Sequence, residues 1–162
     1  MPLGIEGKYT FAAAPDVVWE ALQDPAVLAR CIPGCQKLDP VGEDRYQATM
    51  TVGVAGIRGT FSGEVHIQEK DPPNGYRLVV GGSGGPGFVK GSGVIRLVPE
   101  AQGTLVTVTG EAEVGGTLAA VGQRMLMPVA RMLMNQFFGC LQQQLAQRAA
   151  SPETASDGSP SG

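Results

Sequence analysis

The chain is short of the residues that most chemistry uses. It has one histidine, one tryptophan and three cysteines, and charged residues make up only 17% of 162 positions. Three cysteines do not form the framework of a small secreted domain, and the first residues hold no apolar signal core, so a cytoplasmic protein is expected. Cys31 and Cys35 stand at C-x3-C spacing with no second pair, and Cys140 and His66 lie far away in sequence. That spacing is not a metal motif, and the reading is a turn carrying two half-buried thiols. A net charge of -3 without a basic run argues against a general nucleic-acid binder. No cofactor is expected.

Glycine and turn residues are plentiful, and the apolar residues between them alternate. Leu3 to Phe11 places Ile5, Tyr9 and Phe11 on one side, as a half-buried strand does. Pro15 and Asp16 then suit the first turn of a short helix carrying Val17, Val18, Trp19 and Leu22. After Asp24-Pro25, residues 26–31 predict a second short helix, stopped at Pro33-Gly34. Six strands follow, over about 35–41, 45–54, 58–69, 76–81, 88–98 and 104–114. The turns between them are short, with Asn74-Gly75 the strongest signal, so neighbours are antiparallel. One face takes Tyr46, Ala48, Met50, Val52, Phe61, Val65, Ile67, Leu78, Val80, Ile95, Leu97, Val106, Val108, Ala112 and Val114. Gly53, Gly56, Gly63, Gly91, Gly93 and Gly110 thin this sheet, either to let it bend or to leave a cavity.

Residues 116–148 predict one long C-terminal helix, with a kink at Pro128 because its ring clashes with the carbonyl of residue 124. Leu118, Val121, Met125, Val129, Met132, Leu133 and Cys140 form one apolar face, expected to lie on the sheet. Met127, Met134, Phe138 and Leu145 form a second stripe nearly opposite, available to a ligand, a partner, a second copy or a membrane surface. Arg124, Arg131 and Asn135 interrupt the helix, so it does not read as a membrane span. The prediction is an α+β domain over 1–148: a seven-stranded curved antiparallel sheet around a long C-terminal helix, with two short helices after the first strand. Residues 149–162, rich in Ser, Pro, Gly and Ala, are expected to be a disordered tail.

No catalytic constellation stands out. Gly82-Ser83-Gly84-Gly85-Pro86-Gly87 matches G-x-G-x-x-G, but a strand follows where a dinucleotide site needs a helix, so a mobile hairpin able to gate a cavity is expected. His66 sits on the strand face opposite Val65 and Ile67, and Glu111 and Glu113 share a solvated face.

Gly7-Lys8-Tyr9, Pro15 to Trp19, Asp24-Pro25, Cys31 to Cys35, Asp71-Pro72-Pro73, Gly115 to Ala119 and Gly122-Gln123-Arg124 occur in an order that resembles the carbon monoxide dehydrogenase G-subunit (CoxG-like) family. That family lies within the START and birch-pollen-allergen superfamily, and the resemblance covers about Leu3 to Leu145. It implies a helix-grip fold enclosing an apolar pocket. It also implies association with a molybdenum-containing carbon monoxide dehydrogenase, in maturation or membrane recruitment, with peripheral contact at the inner face of the membrane. Wider relatives bind lipids, polyketides and other apolar molecules.

The expectation is therefore a non-enzymatic accessory protein that binds a lipid or a quinone. Its pocket walls would be Met50, Val52, Phe61, Val65, Val80, Val108, Ala112, Met125, Val129 and Met132. The mouth is expected at Ile32, Pro33, Gly84 and Phe88. The alternatives are a polyketide-cyclase-like enzyme using the same cavity, which needs an inward titratable group, and a docking module or homo-oligomer using the second helix stripe.

Overall fold

A computed structural model describes residues 1–54 and 56–150. In chain order the elements are β1 (Pro2–Phe11), α1 (Pro15–Gln23), α2 (Pro25–Cys31), β2 (Cys35–Gly42), β3 (Arg45–Val54), β4 (Ile57–Asp71), β5 (Gly75–Gly84), β6 (Gly87–Glu100), β7 (Gly103–Gly115), α3 (Thr117–Ala120) and α4 (Gln123–Ala150). Pro15 and Pro25 occupy first-turn positions, and the Asp24 carboxylate accepts from the Ala26 N–H at 2.9 Å, capping α2. The strands form one antiparallel sheet in the order β1-β7-β6-β5-β4-β3-β2. This is the expected helix-grip architecture. The tail assigned to 149–162 falls largely outside the described residues, while α4 itself runs to Ala150.

Strand register puts the predicted apolar residues on one concave face. Tyr46 lies opposite Val65, Met50 opposite Phe61, Val65 opposite Val80, Ile95 opposite Val108, Leu97 opposite Val106, and Leu3 opposite Ala112. The glycines on this face resolve in favour of bending at two positions. A Cβ on Gly63 would lie 2.1 Å from the Gly81 carbonyl oxygen, and one on Gly110 would lie 2.4 Å from that of Ser92. Neighbouring strands approach so closely there that no side chain fits on the concave side.

The packing has two centres. A large cluster at the α1 and α2 end joins Phe11, Val18, Leu22, Leu28, Ile67, Tyr76, Ile95, Leu97, Val106, Phe138, Leu141 and Leu145. Trp19 meets Tyr76 edge to face at 5.5 Å. A smaller cluster at the other end joins Leu3, Ile57, Val114, Leu118 and Leu126.

Three expectations need correction. The stripe of α4 that faces the sheet is the one expected to be free: Phe138 and Leu145 are buried, and Met134 packs against the large cluster, its methyl group reaching Gly7 of β1. Met125, assigned to the sheet side, is 52% exposed. The reason is aromatic complementarity: Phe138 stacks on Tyr9 at 4.3 Å and meets Phe11 at 6.3 Å. Second, the helical segment breaks at Val121-Gly122, where Gly122 adopts φ +90, while Pro128 lies inside uninterrupted α4. Third, Cys31 is not a thiol in a turn with Cys35. It forms a disulfide with Cys140, 109 residues away, and only Cys35 is free among the described cysteines.

Candidate functional site

Between the two clusters the concave face is not closed. Met50 and Val80 on the sheet, and Val129 and Leu133 on α4, are half-buried apolar residues that join neither cluster among the described residues. Val65, Leu78 and Val108 border the gap from the large cluster, and Val52, Phe61 and Ala112 border it from the small one. All six are half-buried, although they point inward. The close backbone approaches of α4 are to β1, α1 and α2.

Seven of the ten expected wall residues thus share this face: Met50, Val52, Phe61, Val65, Val80, Val108 and Ala112. Val129 is half-buried on α4, on the face it shares with Met125 and Met132. Met125 points to solvent, and Met132 lines an open depression of about 460 Å³ on α4 together with Pro128, Arg131, Asn135 and Gln136. Ile5 and Leu78 share the sheet face as well, outside the expected wall set. Ile5 sits on the same face because it pairs with Gly110, and that pairing joins the first strand to the last, which local periodicity does not reveal.

The expected mouth divides. Ile32 and Pro33 are half-buried and follow α2 directly. The turn after them is fastened to β3, since the Thr51 N–H donates to the Gly34 carbonyl at 2.9 Å and Cys35 pairs with Met50. Gly34 takes φ +71, and a Cβ there would meet the Thr51 carbonyl oxygen at 2.1 Å. Gly84 lies on the concave row opposite Phe61, next to a tight hairpin. That hairpin is tethered rather than loose: the Pro86 carbonyl accepts from the Leu118 N–H and the Thr117 hydroxyl, both at 2.7 Å. Phe88 lies on the convex face, its ring over Gly115, because its neighbour Val89 takes the inward position opposite Val114.

The electrostatics of the inward face are simple. Among the described residues its strand positions carry no Asp, Glu or His, and α4 has no carboxylate from Gln123 to Ala150. Its ionisable groups are phenols. Burial holds Tyr76 protonated far above the usual tyrosine range. Tyr9 is also raised by burial, with the Arg131 guanidinium pulling the other way, and its hydroxyl donates to Asn135 Oδ1 at 2.7 Å. His66 pairs with Gln68 on the opposite face, and Glu113 binds the Met1 amino group. The hexapeptide containing Gly82 and Gly87 leads into β6, not a helix, so it lacks the anion-binding geometry of a dinucleotide loop.

Solved structures share this fold. A conserved protein from Geobacillus kaustophilus is 41% identical, matching 90% of this chain and 97% of its own, with a TM-score of 0.88. The Zhui aromatase/cyclase from Streptomyces sp. R1128 is 18% identical over 94% of this chain and 99% of its own, with a TM-score of 0.70. Ara h 8.0201 is 16% identical over 91% and 99%, with a TM-score of 0.68. The last two likenesses show the fold alone, the Bet v 1-like helix grip. No curated protein sequence matches. The family model for the G-subunit of carbon monoxide dehydrogenase (CoxG) matches residues 7–146, and the chain therefore belongs to the CoxG family.

Proposed function

We propose that the protein is a non-enzymatic carrier that takes one apolar molecule, a lipid or an isoprenoid quinone, between the sheet and α4. In this role it serves a molybdenum-containing carbon monoxide dehydrogenase, exchanging its cargo at the inner face of a membrane. The observation that carries this reading is the pair of half-buried apolar residues on the concave sheet face, Met50 and Val80, that join neither packed cluster. Full burial of such a side chain is worth roughly 1.5–3 kcal/mol, and an apolar ligand would recover the share that half-burial leaves in water. A carboxylate or imidazole aimed into the gap would favour a cyclase, and among the described residues the inward strand positions carry neither. Membrane contact would be peripheral, since no helix among the described residues is long and apolar enough to cross a bilayer.

The test is a filled cavity. Parinaric acid should bind the native protein, and Val80→Trp should weaken binding at least tenfold while Phe88→Trp, on the convex face, leaves it unchanged. Equal binding by all three proteins would rule out the cavity as the binding site.

A further inference from the structure

The Cys31–Cys140 disulfide joins the two elements that flank the expected mouth, and neither the fold nor the carrier reading assigns it a role. Cys31 is the last residue of α2. Ile32 and Pro33 follow, and Gly34 is then fastened to β3 by the Thr51 N–H while Cys35 pairs with Met50. The segment 31–35 is thus a strap from α4 to the strand that carries Met50. One end is held by backbone pairing and the other by a covalent bond. Besides that bond, α2 holds α4 by packing and by one exposed hydrogen bond, Arg30 to Gln144 at 3.0 Å. Since α2 packs on both α4 and β2, the strap links the helix to the β2–β3 edge of the sheet.

We infer that the Cys31–Cys140 disulfide is a redox latch on the strap at the mouth of the site, setting how fast an apolar ligand enters and leaves. This rests on the carrier reading above. The chemistry needs a dithiol reductant. Cys31 is buried at 3% exposure, whereas Cys140 is half-buried, so the attacking thiolate reaches the Cys140 sulfur. The S–S bond breaks, Cys31 leaves as a thiolate and is protonated, and a mixed disulfide forms on Cys140. The second thiol of the reductant resolves it, freeing Cys140 as the dithiol becomes a disulfide. Two electrons and two protons pass to the protein. The buried Val27 and Leu28 keep α2 in the core after the bond is cut, so the strap loosens without the domain unfolding.

The experiment uses the full chain carrying Cys35→Ser, which removes the remaining thiol. Parinaric acid release is followed by stopped flow, and hydrogen exchange over residues 27–36 is followed alongside, before and after reduction by a dithiol. Reduction should speed release at least tenfold and exchange of that segment at least tenfold. Cys140→Ser should behave as the reduced protein. Unchanged release and exchange, with two new thiols counted after reduction, would overturn the latch, as would two free thiols in protein never reduced. If parinaric acid binds neither form, the carrier reading fails and the latch with it, whereas binding with a release rate that reduction leaves unchanged overturns the latch alone.

Discussion

Replacing Phe138 by alanine should be among the costliest changes to this chain, and replacing Met125 among the cheapest. Phe138 is 4% exposed and touches three rings: Tyr9 stacked at 4.3 Å, Phe137 at 5.0 Å and Phe11 at 6.3 Å. Removing its transfer free energy costs about 3 kcal/mol, and losing the stacked pair adds about 0.5–1.5 kcal/mol. The total of about 4 kcal/mol lies within the usual Phe→Ala range of about 3–5 kcal/mol. At a urea slope of about 2 kcal/mol per molar, Phe138→Ala should lower the unfolding midpoint by about 2 M. Met125 is 52% exposed, so Met125→Ala should change stability by less than about 0.5 kcal/mol. Urea titration followed by circular dichroism separates the two. A loss at Met125 equal to that at Phe138 would refute the orientation of α4 described above.

Three further outcomes follow. Reducing the Cys31–Cys140 bond, which spans 109 residues, should cost up to about 4.8 kcal/mol by loop entropy and lower Tm by about 10–20 °C, read by calorimetry with and without a dithiol. Gly63→Val should destabilise by more than about 3 kcal/mol, since its Cβ meets the Gly81 carbonyl, whereas Gly4→Val, with open space around it, should be nearly neutral in thermal melts. Tyr76 has a folded pKa above its unfolded value of 10.0, so its stabilising effect is complete below that pH and is lost as pH rises above it. Tyr76→Phe should therefore flatten the alkaline loss of stability in urea titrations run from pH 9 upward.

The strands were legible because their alternation and turn chemistry agree. The residues bounding β3 match the sequence reading, and the hairpin of Asn74-Gly75 falls where expected. What sequence could not decide was which side of α4 faces in. That helix is apolar nearly all round, so periodicity offers two stripes, and the choice depends on Tyr9 and Phe11 arriving from a strand at the other end of the chain. The disulfide was hidden for the same reason, since its partners are brought together only when α2 docks on α4. The interruption expected at Pro128 falls instead at Gly122, since a proline costs one helical bond whereas a residue at φ +90 ends the helix. The inward-facing residues of the sheet were readable from alternation. The tether from Pro86 to α3 was not, because it is a contact between a turn and a helix start.

The central claim is that the space between the sheet and α4 takes one apolar molecule, and native mass spectrometry tests it most directly. The full chain and its Val80→Trp variant would be incubated with decylubiquinone and, separately, with oleate. A one-to-one adduct is expected on the native chain with at least one of them, saturating with concentration and lost in Val80→Trp. Folded native protein that forms no adduct with either, or a variant that binds as well as the native chain, would contradict the claim.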